Sequence, residues 1–144
     1  MSILVKDAEL HDLDNINQLL RLAKLHRGYE EKFLDRFMNK LGISASDLQT
    51  HPPQLFYKNN TLIGFYNFIH HDDGTLELDH FYIHPEYHHN GIDLDMWKTC
   101  CDNAKNKYSR NEFIIWNDPH TETFYLQMGC KKSDENPGVM KFCL

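Results

Sequence analysis

Apolar and polar positions change period twice along the chain, and the changes divide it into helical and extended stretches. Ile3 to Lys6 suits a short opening strand. Leu13, Ile16, Leu19, Leu20 and Ala23 then recur at three- and four-residue steps, the spacing of one buried helix face, and Asp12 stands where an N-cap residue belongs. Gly28 interrupts this pattern. Phe33, Leu34, Phe37, Met38 and Leu41 mark a second helix, with Gly42 as its stop. From Leu55 the period becomes that of strands: LFYKNNTLIGFYNFI reads as a hairpin turning at Lys58, Asn59 and Asn60. HHDDG (70–74) is a second turn, and TLELDHFYI (75–83) a further strand ended by Pro85. Ile92, Met96, Trp97, Cys100, Cys101 and Ala104 share one face of a long helix. FIIW (113–116) is a short apolar strand of the kind found inside a sheet. A helix over 121–128 stops at Gly129, and VMKFCL supplies a last strand. The order is β-α-α-β-β-β-α-β-α-β, an α/β (α+β mixed) fold with a central mixed sheet flanked by helices. With 144 residues and no repeat or linker, a single domain over 1–144 is expected.

Composition narrows the function classes. Apolar residues at 41% and charged residues at 25% are ordinary for a soluble globular protein. A net charge of −6 argues against a nucleic-acid binder, which needs a basic face for phosphates. Cys100, Cys101, Cys130 and Cys143 form no C-x-x-C pair and have no zinc-ribbon spacing, so buried structural thiols are expected. No signal-like segment precedes the first strand and no apolar run approaches the roughly 18 residues of a membrane span. A cytoplasmic setting without membrane contact follows as the expectation.

Two separated segments carry the chemistry: HPEYHHNGIDLDMW (84–97) and WNDPHTETFYLQMGCKK (116–132). With the element order, they resemble the GNAT family of acetyl-CoA-dependent N-acetyltransferases over essentially the whole chain, most specifically from Leu76 to Lys132. The resemblance implies a GNAT fold with a mostly antiparallel sheet, and acetyl-CoA as cosubstrate with no metal. The family's loop [Q/R]-x-x-G-x-[G/A] holds the coenzyme A pyrophosphate on backbone N–H groups at a helix N-terminus. It falls here on His88, His89, Asn90, Gly91, Ile92 and Asp93. Gly91 matches, whereas His88 replaces Gln or Arg and Asp93 replaces Gly or Ala. A carboxylate in that first turn competes with an anion for the same N–H groups. Phe81, Tyr82 and Ile83 occupy the positions whose backbone pairs with the pantetheine arm.

Acetyl transfer to an amine needs the amine neutral and the departing thiolate protonated. By resemblance, Glu77 is the candidate general base on the fourth strand, with Asp79 on the same face if the strand is regular. A bulge would exchange these roles with Leu78 or His80. The second segment resembles N-x-x-x-A-x-x-F-Y-x-x-x-G-F, which makes Tyr125 the candidate general acid and Asn117 a bond to the pantetheine arm. Bland alternatives stand beside these: solvated strand carboxylates for Glu77 and Asp79, wall packing for Tyr125, a solvated turn for His70 to Asp73. His80 and His84 are too far apart along a strand to share one ion. The amine, a small molecule or a protein amino group, would enter beside 25–53, which holds Tyr29, Glu30, Glu31 and His51. A second reading is a GNAT-fold binding or regulatory module with a degenerate coenzyme A site. Pairing of FYNFI (65–69) across a homodimer is a further expectation.

Overall fold

The computed structural model describes residues 3–88 and 91–144. Its elements are β1 (Leu4–Asp7), α1 (Leu13–His26), α2 (Glu31–Leu41), α3 (Ala45–Thr50), β2 (Gln54–Lys58), β3 (Thr61–His70) and β4 (Leu76–Ile83). There follow α4 (Ile92–Asn106), β5 (Glu112–Trp116), α5 (Glu122–Gln127), β6 (Lys131–Lys132) and β7 (Val139–Cys143). The seven strands form one sheet in the order β1-β2-β3-β4-β5-β7-β6. Only β4 and β5 run parallel, so the sheet is mixed and mostly antiparallel, as expected. Relative to the sequence reading, α3 and β6 are additional. Ser44 explains α3: its hydroxyl accepts from Asp47 N, whose carboxylate accepts from Ser44 N, a reciprocal cap on a single turn or two.

The two faces of the sheet are covered separately. Ile16, Leu19, Leu20 and Ala23 of α1 pack with Leu55, Phe65 and Tyr82 on one face. On the other, Met96, Trp97, Cys100 and Ala104 of α4 meet Phe56, Ile63, Tyr66, Phe81 and Phe113. Burying each such Leu or Phe contributes about 1.5–3 kcal/mol. The β2–β3 hairpin turns tightly at Asn59 and Asn60, both at positive φ (51° and 64°), the left-handed conformation that asparagine tolerates best among non-glycine residues.

Gly42 ends α2 for a different reason from the expected left-handed stop. Its φ is −78°, and a Cβ there would sit 2.6 Å from Asn17 Oδ1 and 2.9 Å from the Met38 carbonyl. Asn17 needs that approach, because its amide donates to Ile43 O (2.9 Å) and accepts from Ile43 N (2.7 Å), tying α1 to the end of α2. Gly42→Ala should therefore destabilise the protein by about 1–3 kcal/mol, the usual cost of forced overpacking. Denaturant unfolding checks this; an unchanged midpoint would contradict the close approach.

Several expectations are corrected. Asp12 precedes α1 but caps it with no side-chain bond; its buried carboxylate accepts from Glu9 N and Tyr57 OH and pairs with Lys6. FYNFI lies in β3, an inner strand of the sheet, with Phe65 and Tyr66 paired to β2 and the whole segment alongside β4. All four cysteines are free thiols, but Cys143 is exposed rather than buried. FIIW is not wholly interior either, since Trp116 is 57% exposed where β5 leaves the sheet. No helix of the described residues is long and apolar enough to cross a membrane.

Candidate active site

β4 and β5 are paired at one register position, Glu77 opposite Ile114, and beyond it the strands separate. Phe81, Tyr82 and Ile83 remain paired with β3 on one side, while the edge toward β5 carries no ladder partner. Their side chains are buried, so what they offer a ligand in the gap is backbone. The gap opens into a cavity of about 430 Å³. Glu77, Asp79, His80 and Tyr82 of β4 line it, with Trp116, Asn117 and Asp118 after β5, Tyr125 of α5 and Lys24 of α1. Another hollow of about 410 Å³ lies around Gly74, Arg110 and Glu112 and holds none of the candidate acid–base residues.

A bulge decides which side chains face this cavity. Asn67 pairs with His80 and Phe68 with Leu78, leaving Asp79 as the extra residue. A regular strand would have placed Glu77 and Asp79 on one face. Instead Leu78 and Phe81 share the α4 side, Tyr82 the α1 side, and Asp79 is displaced beside His80.

The polar partners separate the candidates further. Glu77 is 6% exposed and its Oε1 lies 2.8 Å from His71 Nε2. His71 is thus not merely part of a solvated turn; it holds the carboxylate that the cavity exposes. Asp79 Oδ2 lies 3.0 Å from His80 Nδ1 and 3.5 Å from Asn67 Nδ2. Burial pushes the Asp79 carboxyl upward, but the His80 hydrogen bond and charge, with Asn67, outweigh it and hold the group below the ordinary carboxylate range. His80 Nδ1 also lies 3.0 Å from Asn67 Oδ1, and its Nε2 lies 3.3 Å from the Leu41 carbonyl. Both ring nitrogens therefore face acceptors and present no lone pair to the cavity. His80 links β4 to the end of α2, and His84 lies beyond the strand, so the two do not combine as metal ligands.

Tyr125 is 5% exposed in the cavity wall, in contact with Trp97 and Phe124. Burial, then the neighbouring Tyr82, push its pKa up, while the Arg27 charge pulls it down; the phenol stays protonated at neutral pH. Asn117 donates its backbone N–H to Gly138 O, and its Oδ1 is buried with no hydrogen-bond partner. An acceptor held inside the wall without a donor fits a ligand that brings its own N–H, as a pantetheine amide does.

At the other end of the gap, Gly91 starts α4 in the left-handed conformation (φ 76°). A side chain there would meet no atom within 4 Å but would strain the backbone. Ile92 is buried against the sheet and anchors the helix start. Asp93 Oδ1 accepts from Leu94 N at 3.1 Å, so the carboxylate already occupies a first-turn N–H. The His88 ring stacks on His26 of α1, centroids 5.6 Å apart. His89 and Asn90 lie outside the described residues.

Residues other than the acid–base candidates complete the enclosure, Tyr29 of the expected entry segment among them. Tyr29 OH donates to Asp118 Oδ2, and its ring packs on His120. Lys24, 6% exposed, donates to Tyr82 OH at 2.9 Å, and Arg27 lies over the Tyr82 ring. For Lys24 and Arg27 the only signal in the sequence is a cationic helix end, KLHR, directly before Gly28. Glu30 and Glu31 begin α2 away from the cavity wall, with Glu31 near Arg21, and His51 gives its carbonyl to Asn67 Nδ2.

Comparisons with known proteins bear on the family and the fold. A family model described as an acetyltransferase (GNAT) domain matches residues 26–143. Among solved structures, the PaiA N-acetyltransferase of Thermoplasma acidophilum in complex with coenzyme A superimposes with a TM-score of 0.81, at 20% identity, covering 100% of each chain. An acetyltransferase of the GNAT family from Staphylococcus aureus Mu50 gives 0.75 at 12% identity over 99% of each chain. The acetyltransferase YncA of Salmonella typhimurium, with its cofactor acetyl-CoA, gives 0.65 at 15% identity over 100% of this chain and 95% of its own. At these identities the likeness shows the fold. No curated protein matches the sequence significantly.

Proposed function

The chain belongs to the GNAT acetyltransferase family, with acetyl-CoA as cosubstrate, and from that premise we propose that it acetylates a primary amine by direct transfer, with Glu77 as general base and Tyr125 as general acid. The observation that carries this reading is the cavity itself. Glu77, Asn117 and Tyr125, distant in sequence, line one hollow where β4 and β5 part. The pantetheine arm pairs with the free edge of β4 at Phe81 to Ile83, Asn117 Oδ1 accepts from it, and the pyrophosphate meets the start of α4 at His88 to Asp93.

Within the cavity the amine nitrogen attacks the acetyl carbon, the C–S bond breaks, and the electron pair goes to sulfur. Glu77 takes the amine proton, and Tyr125 gives its phenolic proton to the departing thiolate. Asp79 is the weaker base candidate, because its carboxyl is held low and one oxygen is engaged by His80 and Asn67. It orients His80 and, through it, the α2 end of the acceptor entrance. The acceptor is a small amine or a protein amino group entering between Leu41, Trp116 and Asp118.

Release of free thiol from acetyl-CoA, measured against a panel of primary amines and peptides, tests the reading. Amine-dependent release with formation of the amide is expected. Hydrolysis alone, or no turnover with any amine, would contradict it.

One observation favours a second reading, a coenzyme A-binding module without turnover: Asp93 engages Leu94 N in the turn that should hold pyrophosphate. Asp93→Ala separates the two. With the carboxylate gone, acetyl-CoA affinity should rise about three- to tenfold, on the order of 1 kcal/mol for one charge at a helix N-terminus. Calorimetric titration measures it; an unchanged affinity would mean that the carboxylate faces away from the pyrophosphate.

A further inference from the structure

Arg27 follows the last turn of α1, and its guanidinium lies between the Tyr82 and Phe124 rings. Its Cζ lies 5.1 Å from the Tyr82 ring centroid on β4 and 5.2 Å from that of Phe124 on α5, one residue before Tyr125. Stacking of this kind fixes the plane of the guanidinium but leaves its N–H groups seeking acceptors in that plane. Arg27 Nη1 is buried and has no hydrogen-bond partner. Among the described residues, no carboxylate forms an ion pair with it. Asp118, in the same wall, is already engaged by Tyr29 OH and by the His120 backbone N–H at 2.9 Å. Lys24 Nζ lies 5.0 Å from the same Tyr82 ring and likewise pairs with no carboxylate among the described residues. Two cations, Lys24 buried and Arg27 half-buried, thus share one aromatic ring, and among the described residues neither is paired with a carboxylate. A buried charged donor left without an acceptor is costly, and the arrangement is accounted for by negative charge that arrives with the ligand.

We propose that Arg27 is a catalytic residue of acyl transfer, its guanidinium holding the negative charge that gathers on the coenzyme A sulfur as the thioester breaks. The inference rests on the reading that acetyl-CoA lies in the gap with its thioester beside Tyr125. The neighbouring positions of α1 distinguish sulfur from pyrophosphate as the partner: His26 stacks on His88 at the pyrophosphate loop, whereas Arg27 turns to the Phe124–Tyr125 end. It also answers a difficulty of the mechanism. Tyr125 is raised by burial and so is a reluctant acid, and the Arg27 charge opposes that shift. In the step, the amine nitrogen bonds to the acetyl carbon and the C–S pair moves to sulfur. The phenolic proton follows to sulfur, and the amine proton passes to Glu77. Tyr125 afterwards regains a proton from solvent, Glu77 returns one to it, and Arg27 remains a guanidinium throughout.

The test uses the full chain and coenzyme A itself. The thiolate absorbance of bound coenzyme A is followed against pH in the wild type, Arg27→Gln and Arg27→Lys, and desulfo-coenzyme A is titrated in parallel. The bound thiol should titrate about one unit or more below free coenzyme A in the wild type and in Arg27→Lys, and close to the free value in Arg27→Gln. Arg27→Gln should lower kcat about 100-fold with the acceptor KM and the affinity for desulfo-coenzyme A unchanged, and Arg27→Lys should recover a large part of the rate. A bound thiol that titrates equally low in Arg27→Gln would overturn the inference alone. So would an equal loss of affinity for coenzyme A and its desulfo analogue, which marks a packing role. Failure of the wild type to bind coenzyme A would overturn the functional reading and this inference with it.

Discussion

Replacing Glu77 with glutamine is expected to lower kcat about 100-fold or more, with acetyl-CoA affinity changed less than about twofold. The substitution keeps shape and hydrogen-bonding capacity, so the contact to His71 at 2.8 Å survives and the wall stays packed. What it removes is the ability to take a proton from the amine. Amines are ammonium ions near neutral pH, and without a base the enzyme must wait for the rare neutral form to arrive from solution. The rate of Glu77→Gln should therefore climb with pH toward the pKa of the acceptor and approach the wild type for weakly basic amines. Steady-state kinetics with amines of graded basicity makes the measurement. An undiminished rate with a strongly basic amine would remove Glu77 from the chemistry and return it to the role of a buried strand carboxylate.

The second large effect is expected at Tyr125. Tyr125→Phe deletes one hydroxyl from a residue 5% exposed and packed against Trp97 and Phe124, so the fold and the cavity walls should persist. Burial and neighbouring charges, not a hydrogen bond, act on its hydroxyl, so removal orphans no group among the described residues. Turnover should nonetheless fall about 100-fold, because the thiolate then leaves without its proton donor. Donor affinity should be nearly unchanged. Single-turnover rates and calorimetry with acetyl-CoA separate the two quantities. Equal rates in Tyr125→Phe and wild type would leave Tyr125 as wall packing.

How far the sequence disclosed this site depends on which physical signals are local. The start of α4 was legible because a glycine after a proline-broken strand end, followed by Ile92, Met96 and Trp97 at helical spacing, specifies a loop entering a helix whatever surrounds it. Asn117 and Tyr125 were legible through one continuous segment. The bulge at Asp79 was not: LELDHFYI reads as an ordinary strand, and the extra residue shows only in the pairing with β3. It displaces Asp79 beside His80, whose Nε2 faces the Leu41 carbonyl. Lys24 of α1 and Arg27 just after it escaped for the same reason. In the sequence they are two polar residues at a helix end, and only the packing of α1 against β4 and α5 brings them over Tyr82. The apolar run FYNFI forms part of an inner strand, and its hydrophobicity alone does not distinguish burial within a sheet from burial between subunits.

The altered loop bears most directly on coenzyme A binding. GNAT membership supplies the donor, but this chain carries Asp93 in place of a small residue and already uses it on Leu94 N. The most direct measurement is calorimetric titration of the protein with acetyl-CoA at moderate salt. The account predicts one site per chain with micromolar affinity, held by the edge of β4, Asn117 and the start of α4. Absence of binding up to millimolar acetyl-CoA would contradict it, and would mean that Asp93 and His88 have closed the site to pyrophosphate.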